Sequence, residues 1–258
     1  MSPESRDPHG APSADSLVQA AYALEPLPQS LARRAALVAD EGTQLRELVE
    51  VVTLDPALTG ALLRRANSAL SASLKPIATV QEAVVRLGMG MVLSLAICAH
   101  LHRLTRTGGL SSSGAGNELW NHAVAASIAG EVVRARSAVE LPAETSTAAL
   151  LHDIGRLVIE RFVPKDTAGF IHKARDLEGT SRLQAELAVL GTHHAELGAR
   201  VAERWGLPSS IAVGIRHHHT PAESNLPIAW AVALANLLAH QVVPAPGAQP
   251  ADLATPPV

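Results

Sequence analysis

The segment ALLHDIGRLVIERF, residues 149–162, constrains the fold more than any other part of the chain. Ala148, Ala149, Leu150, Leu151, Ile154, Leu157, Val158 and Ile159 make it apolar nearly all round. A helix of that kind is buried on every side, so it predicts the centre of a helical assembly. Yet His152 and Asp153 sit side by side within it. Burying an unpaired carboxylate costs several kcal/mol or more. The fold must therefore bring Asp153 a metal ion or a set of donors, with Arg156 and His122 as the protein candidates.

The rest of the chain predicts an all-α fold. Alanine and leucine dominate, aromatic residues are only 2%, and apolar residues hardly ever alternate with polar ones. That composition favours helices and leaves no pattern for a sheet. The punctuation is helical too. Asp55–Pro56 is an N-cap followed by proline at the first helical position, ahead of a stripe of Leu58, Leu62 and Ala66. Thr79 to Glu82 fits a capping box, and Asn67–Ser68 reads as a helix C-terminal cap. The Gly/Ser-rich stretch RTGGLSSSGAGNE, residues 106–118, predicts a linker between a helical part at 16–105 and a second at 119–241. The polar residues 1–15 and the Pro/Ala-rich residues 242–258 are expected to be disordered tails.

Several function classes are disfavoured. Net charge is −3, and the Arg33–Arg34 and Arg64–Arg65 pairs are isolated, so a nucleic-acid-binding face is not expected. No uncharged apolar run reaches the length of a membrane span; the longest, MGMVLSLAICAHLHRL, is short and carries histidines. The N-terminus has no apolar core of a signal peptide, and the single Cys98 reads as a core residue. Together these predict a reducing, cytoplasmic setting.

The second part carries histidines at 122, 152, 172, 193, 194 and 217–219, with His240 at its end. Ala125, Ala126, Ala129 and Val133 fall within about 60° of His122 on a helical projection, so His122 points inward among small residues. Leu197, Gly198, Val201 and Trp205 share the face of His194, leaving His193 about 100° away and outward. His217, His218 and His219 stand near a helix end before Thr220–Pro221, and periodicity does not choose among them. Three or four imidazoles and a carboxylate on inward faces of separate helices are a ligand set for Zn, Mn, Fe or a similar ion.

The order His122, then LLHDIG with His152–Asp153, then HAELG with His194, then His218–His219 before a proline resembles the HD superfamily of metal-dependent phosphohydrolases. LDPALTGALLRRANSAL, IATVQEAVVRLGM and HAELGARVAERWGLPSSI make the chain similar, more narrowly, to the HDOD family of HD-related output domains in bacterial signalling, over residues 24–240. The resemblance implies a helical N-terminal subdomain packed on an HD-like helical core. It also implies a regulatory role, with signalling proteins or a small molecule as partners. Against the HD-GYP relatives, which hydrolyse cyclic di-GMP, His122, His152, Asp153, His194, His218 and His219 match the ligand pattern.

Two departures stand out. Asn236, in ALAN, occupies the place of the superfamily's last aspartate, which removes a negative charge that would hold the metal. The Gly-Tyr-Pro loop is missing, with only HHTPAESNLPIA joining His218 to the next helix. The expectation is a non-catalytic regulatory module with a partly retained site for Fe, Mn or Zn. The alternative is a metal-dependent phosphohydrolase of unknown substrate.

Overall fold

A computed structural model describes residues 12–24, 31–32, 35, 38, 45–53, 56–67, 76–97, 114–169, 171 and 181–243. Among them the chain is helical, without a strand. The predicted signals act as read. One helix of the N-terminal part starts at Pro56 and runs to Ala66, burying Leu58, Leu62 and Ala66. Asn67 follows it, donating from Nδ2 to the carbonyls of Leu63 (2.9 Å) and Ile77 (2.8 Å) and accepting from the Ile77 N–H. It caps one helix and pins the approach to the next. Thr79 and Glu82 form the capping box of the helix Val80–Leu87. Asp55, Ser68 and Cys98 lie outside the described residues.

Two predicted boundaries shift. The first helix, Ala14–Tyr22, begins inside the segment read as an N-terminal tail, because the Ser13 hydroxyl accepts from the Ser16 N–H and caps it. Its Leu17 and Ala21 are buried, and it packs on the helices Gly155–Phe162 and His194–Arg204. The helix Gly114–Arg136 starts within the predicted linker. Glycine disfavours a helix by only about 1 kcal/mol, which packing along 23 residues outweighs.

The core of the second part is set by close approach. The helix Gly114–Arg136 lies against Thr145–Leu151 and Pro227–Val242, with Ala126, Ala149, Ala235 and Ala239 buried between them. At Gly130 a Cβ would come within 2.9 Å of the Ala149 Cβ. The small residues predicted around His122 do allow that contact. The helix Gly155–Phe162 meets His194–Arg204 even more tightly: a Cβ on Gly155 would lie 2.0 Å from the His194 carbonyl oxygen. The N-terminal part is joined through the helix Met89–Ile97. There a Cβ on Gly90 would lie 1.7 Å from the Ala143 carbonyl oxygen, and the Ser94 hydroxyl meets Ser146 and Thr147. Among the described residues no single helix is long and apolar enough to cross a membrane.

Candidate metal centre

His152 and Asp153 do not lie within a helix, as the apolar run suggested. The helix Thr145–Leu151 ends at His152, and the next begins at Gly155. Residues 152–154 form the bend, tightened by bonds from the Ile154 N–H to the Leu151 carbonyl and the Arg156 N–H to the Asp153 carbonyl. Gly155 follows the bend, and only without a side chain can the second helix reach the backbone of His194. A straight helix would turn adjacent residues about 100° apart. The bend instead lets both His152 (fully buried) and Asp153 (8% exposed) face the interior.

Each imidazole is held by its outer nitrogen or its helix. The His152 Nδ1–H donates to the Ala149 carbonyl at 2.7 Å, and the His218 Nδ1–H to the Ile215 carbonyl at 2.7 Å. His194 opens its helix, and both its backbone N–H (2.8 Å) and its Nδ1 (2.6 Å) meet Oε2 of Glu186. These outer partners leave the Nε2 atoms facing inward, the arrangement that orients ligating histidines. Gly191, in the left-handed conformation with φ 66°, ends the preceding helix and turns the chain into His193, whose ring caps the His194 helix. His193 is thus a half-buried capping residue ahead of the helix, where the sequence pattern predicts only an outward face.

Two groups result, each with its ligand atoms within 4.8 Å of one another: His122, His152 and Asp153 in the first, His194, His218 and His219 in the second. Asp153 stands between them. Its Oδ2 lies 3.6 Å from His152 Nε2 and its Oδ1 3.3 Å from His194 Nε2 and 4.0 Å from His218 Nε2. Asn236 joins the first group, with Oδ1 2.9 Å from His122 Nε2. All seven predicted residues therefore converge. His217 caps its helix instead, and His172 lies outside the described residues.

Three further residues complete the surroundings. Arg156, named from sequence as a possible counter-ion, does pair with Asp153, Nη1 to Oδ2 at 2.8 Å. His240 places its ring 4.3 Å from that of His122. Glu186 was not anticipated. It is fully buried and bonded to Arg182 as well as His194. Its signal was available: Leu183, Val189 and Leu190 flank it at helical spacing, so a carboxylate sits on an apolar stripe.

The electrostatics favour a cation. Burial pushes His152 down to about 4, with neighbouring imidazoles adding to that, and pushes His218 well below its ordinary value. Burial raises the Asp153 carboxyl, but the histidines and Arg156 around it outweigh that and hold it well below the ordinary range. The site is thus a cluster of buried imidazoles around one carboxylate. The His194 and His219 rings meet Nε2 to Nε2 at 3.0 Å. The buried His218 Nε2 has no hydrogen-bond partner. A divalent ion fits that donor set, with His194, His218, His219, His122, His152 and Asp153 as the residues that could hold it.

The residue order and this geometry together carry the assignment, and the HDOD domain profile matches residues 24–221. The chain belongs to the HDOD family. It is similar to an HDOD domain protein of Geobacter sulfurreducens, 24% identical, with a TM-score of 0.70 over 92% of this chain and 83% of that one. It is also similar to a candidate phosphohydrolase of Shewanella amazonensis SB2B, 28% identical, with a TM-score of 0.66 over 91% and 83%. An uncharacterised protein of Treponema pallidum is 27% identical over 82% of this chain. The chain spans only 41% of that relative's length. HDOD domains are a signalling-associated branch of HD-related proteins, and the all-α fold of this chain is theirs.

A pH dependence follows for the metal-free protein. A histidine held near 4 when folded and at 6.5 when unfolded leaves the unfolded state with more protons as the pH falls. Stability is therefore retained above pH 6.5 and lost between 6.5 and 4, by about 3 kcal/mol for His152. Urea denaturation of chelator-treated protein at pH 7 and 4.5 measures this. The wild type is expected to lose about that much more than His152→Gln; equal losses would contradict it.

Proposed function

We propose that this HDOD chain is a regulatory module of bacterial signalling that acts by binding a partner protein or small signal, without a hydrolytic reaction of its own. One observation carries the reading: the first group is charge-poor. Asn236, a neutral amide, bonds His122 where the superfamily has a carboxylate, and Asp153 is already paired with Arg156. A catalytic ion needs ligands that hold it while leaving an open position for an oxygen it can polarise. The chain between His219 and the helix at Pro227 is a short turn, Pro221–Glu223, with no room for a substrate loop.

A second feature supports binding. The helix that turns Asn236 inward presents Trp230, Leu234, Leu237 and Leu238 to solvent on its other side, with Trp230 57% exposed. Contiguous exposed apolar surface is characteristic of interaction sites. We place the module in the cytoplasm, with signalling proteins as its partners, and with no membrane or nucleic-acid ligand.

The test is hydrolysis by metal-reconstituted protein. Wild type loaded with Mn, Fe or Zn is expected to show no turnover above blank on cyclic dinucleotides, nucleotides and phosphodiesters. Turnover that disappears in Asp153→Ala would establish the alternative, a metal-dependent phosphohydrolase. The resemblance to the Shewanella protein favours that alternative.

A further inference from the structure

We propose that the chain binds a single zinc-like ion, and that this ion sits in the second group, on His194, His218, His219 and Asp153 Oδ1, rather than in the first. This goes beyond the regulatory reading. It rests on the donor set as a cation site, and it holds whether or not the chain has a reaction.

The two groups differ in how their inward atoms are satisfied. In the first, His122 Nε2 is engaged by Asn236 at 2.9 Å and stands 3.3 Å from His152 Nε2. One ring proton on His122 satisfies both contacts. A cation there must break the bond to Asn236 and gains no charge from it. It must also enter beside the Arg156 guanidinium, which holds the Asp153 oxygen facing that group.

In the second group His194 and His219 meet through their Nε2 atoms at 3.0 Å, but one inward atom is left free. His218 Nε2 is buried and without a partner, while the Ile215 carbonyl holds the ring proton on Nδ1. An apolar surround would be the ordinary neighbour of such an atom. Here it faces His194, His219 and Asp153 instead, with ring centroids 5.5 Å and 4.0 Å away. Asp153 offers this group its other oxygen, which Arg156 does not hold. Behind His194 stands Glu186, a buried carboxylate on the ring's outer nitrogen, which strengthens the imidazole as a ligand. Three imidazoles and a carboxylate are a donor set for zinc or cobalt(II). His219 reaches solvent at the rim, so an ion has a way in.

The test is stoichiometry. Chelator-stripped full-length protein is reloaded with Zn or Co(II), dialysed and assayed for metal per chain, with the cobalt d–d spectrum as a second readout. Wild type is expected to hold one equivalent. His219→Ala, at the exposed rim, should weaken cobalt binding at least about 10-fold. His122→Gln should keep one equivalent and the same spectrum. Asn236→Asp, which restores a charge to the first group, should gain a second equivalent. Circular dichroism checks that each variant is folded. Two equivalents in wild type, or loss of the ion in His122→Gln with retention in His219→Ala, overturns the assignment. An unchanged single equivalent in Asn236→Asp overturns the part given to Asn236. Wild type that holds no ion overturns the cation reading of both groups, and leaves the regulatory reading standing.

Discussion

Gly155→Ala is expected to destabilise the protein by at least about 3 kcal/mol. The new Cβ would lie 2.0 Å from the His194 carbonyl oxygen and 2.6 Å from the Gly198 nitrogen. Both obstacles are backbone, so no side chain can rotate away. The helices Gly155–Phe162 and His194–Arg204 must separate, and with them Asp153 and His194. For a chain of this length that corresponds to a fall in Tm of about 10 °C. Gly169 is the control. Nothing lies within 4 Å of a Cβ there, and the position is helical. Gly169→Ala is therefore expected to be neutral or stabilising by up to about 1 kcal/mol, through reduced freedom of the unfolded chain. Thermal melts of the two variants beside wild type measure the contrast. A Gly155→Ala protein that melts with wild type would refute the close approach.

That glycine also marks the limit of what the sequence made legible. Apolar periodicity placed His122 and His194 inward because helical faces are a local property, encoded within a few residues of each histidine. It failed at His152–Asp153, since a run apolar all round has no face. The break there coincides with a close approach to a helix about forty residues away, at Gly155. The residues that position the ligands were harder still. Glu186 bonds a histidine eight positions later, across a turn through Gly191. Spacing alone cannot close such a turn, although the carboxylate on an apolar stripe was visible. The resemblance, by contrast, named Asn236 as the altered position, and its Oδ1 lies 2.9 Å from His122 Nε2. Within the stretch 106–118 a helix already runs from Gly114, because composition measures propensity and long-range packing can carry a helix through glycine, while residues 106–113 lie outside the described residues.

Asp153→Ala is expected to cost about 3 kcal/mol in the metal-free protein, and more once an ion is bound. Asp153 and Arg156 are only 10% and 23% exposed as side chains, so removing the acid strands a guanidinium in a largely dry site. Breaking a buried pair costs about 3–5 kcal/mol. The lower end applies here for a reason on the same helix. Glu160 acts on Arg156, and its buried Oε2 has no partner, so it can take up part of the stranded charge. The double variant Asp153→Ala/Arg156→Met removes both charges and is expected to recover at least half of the loss. Urea denaturation in chelator measures all three proteins, and repeating it with zinc separates the roles of Asp153. If Arg156 is its principal counter-ion, the recovery appears without metal. If the imidazole cluster needs Asp153 mainly to hold an ion, the double variant recovers stability in chelator yet gains nothing from zinc, while wild type does. A double variant as unstable as Asp153→Ala in chelator would show that the Arg156 pair is not what makes the carboxylate tolerable at the bend.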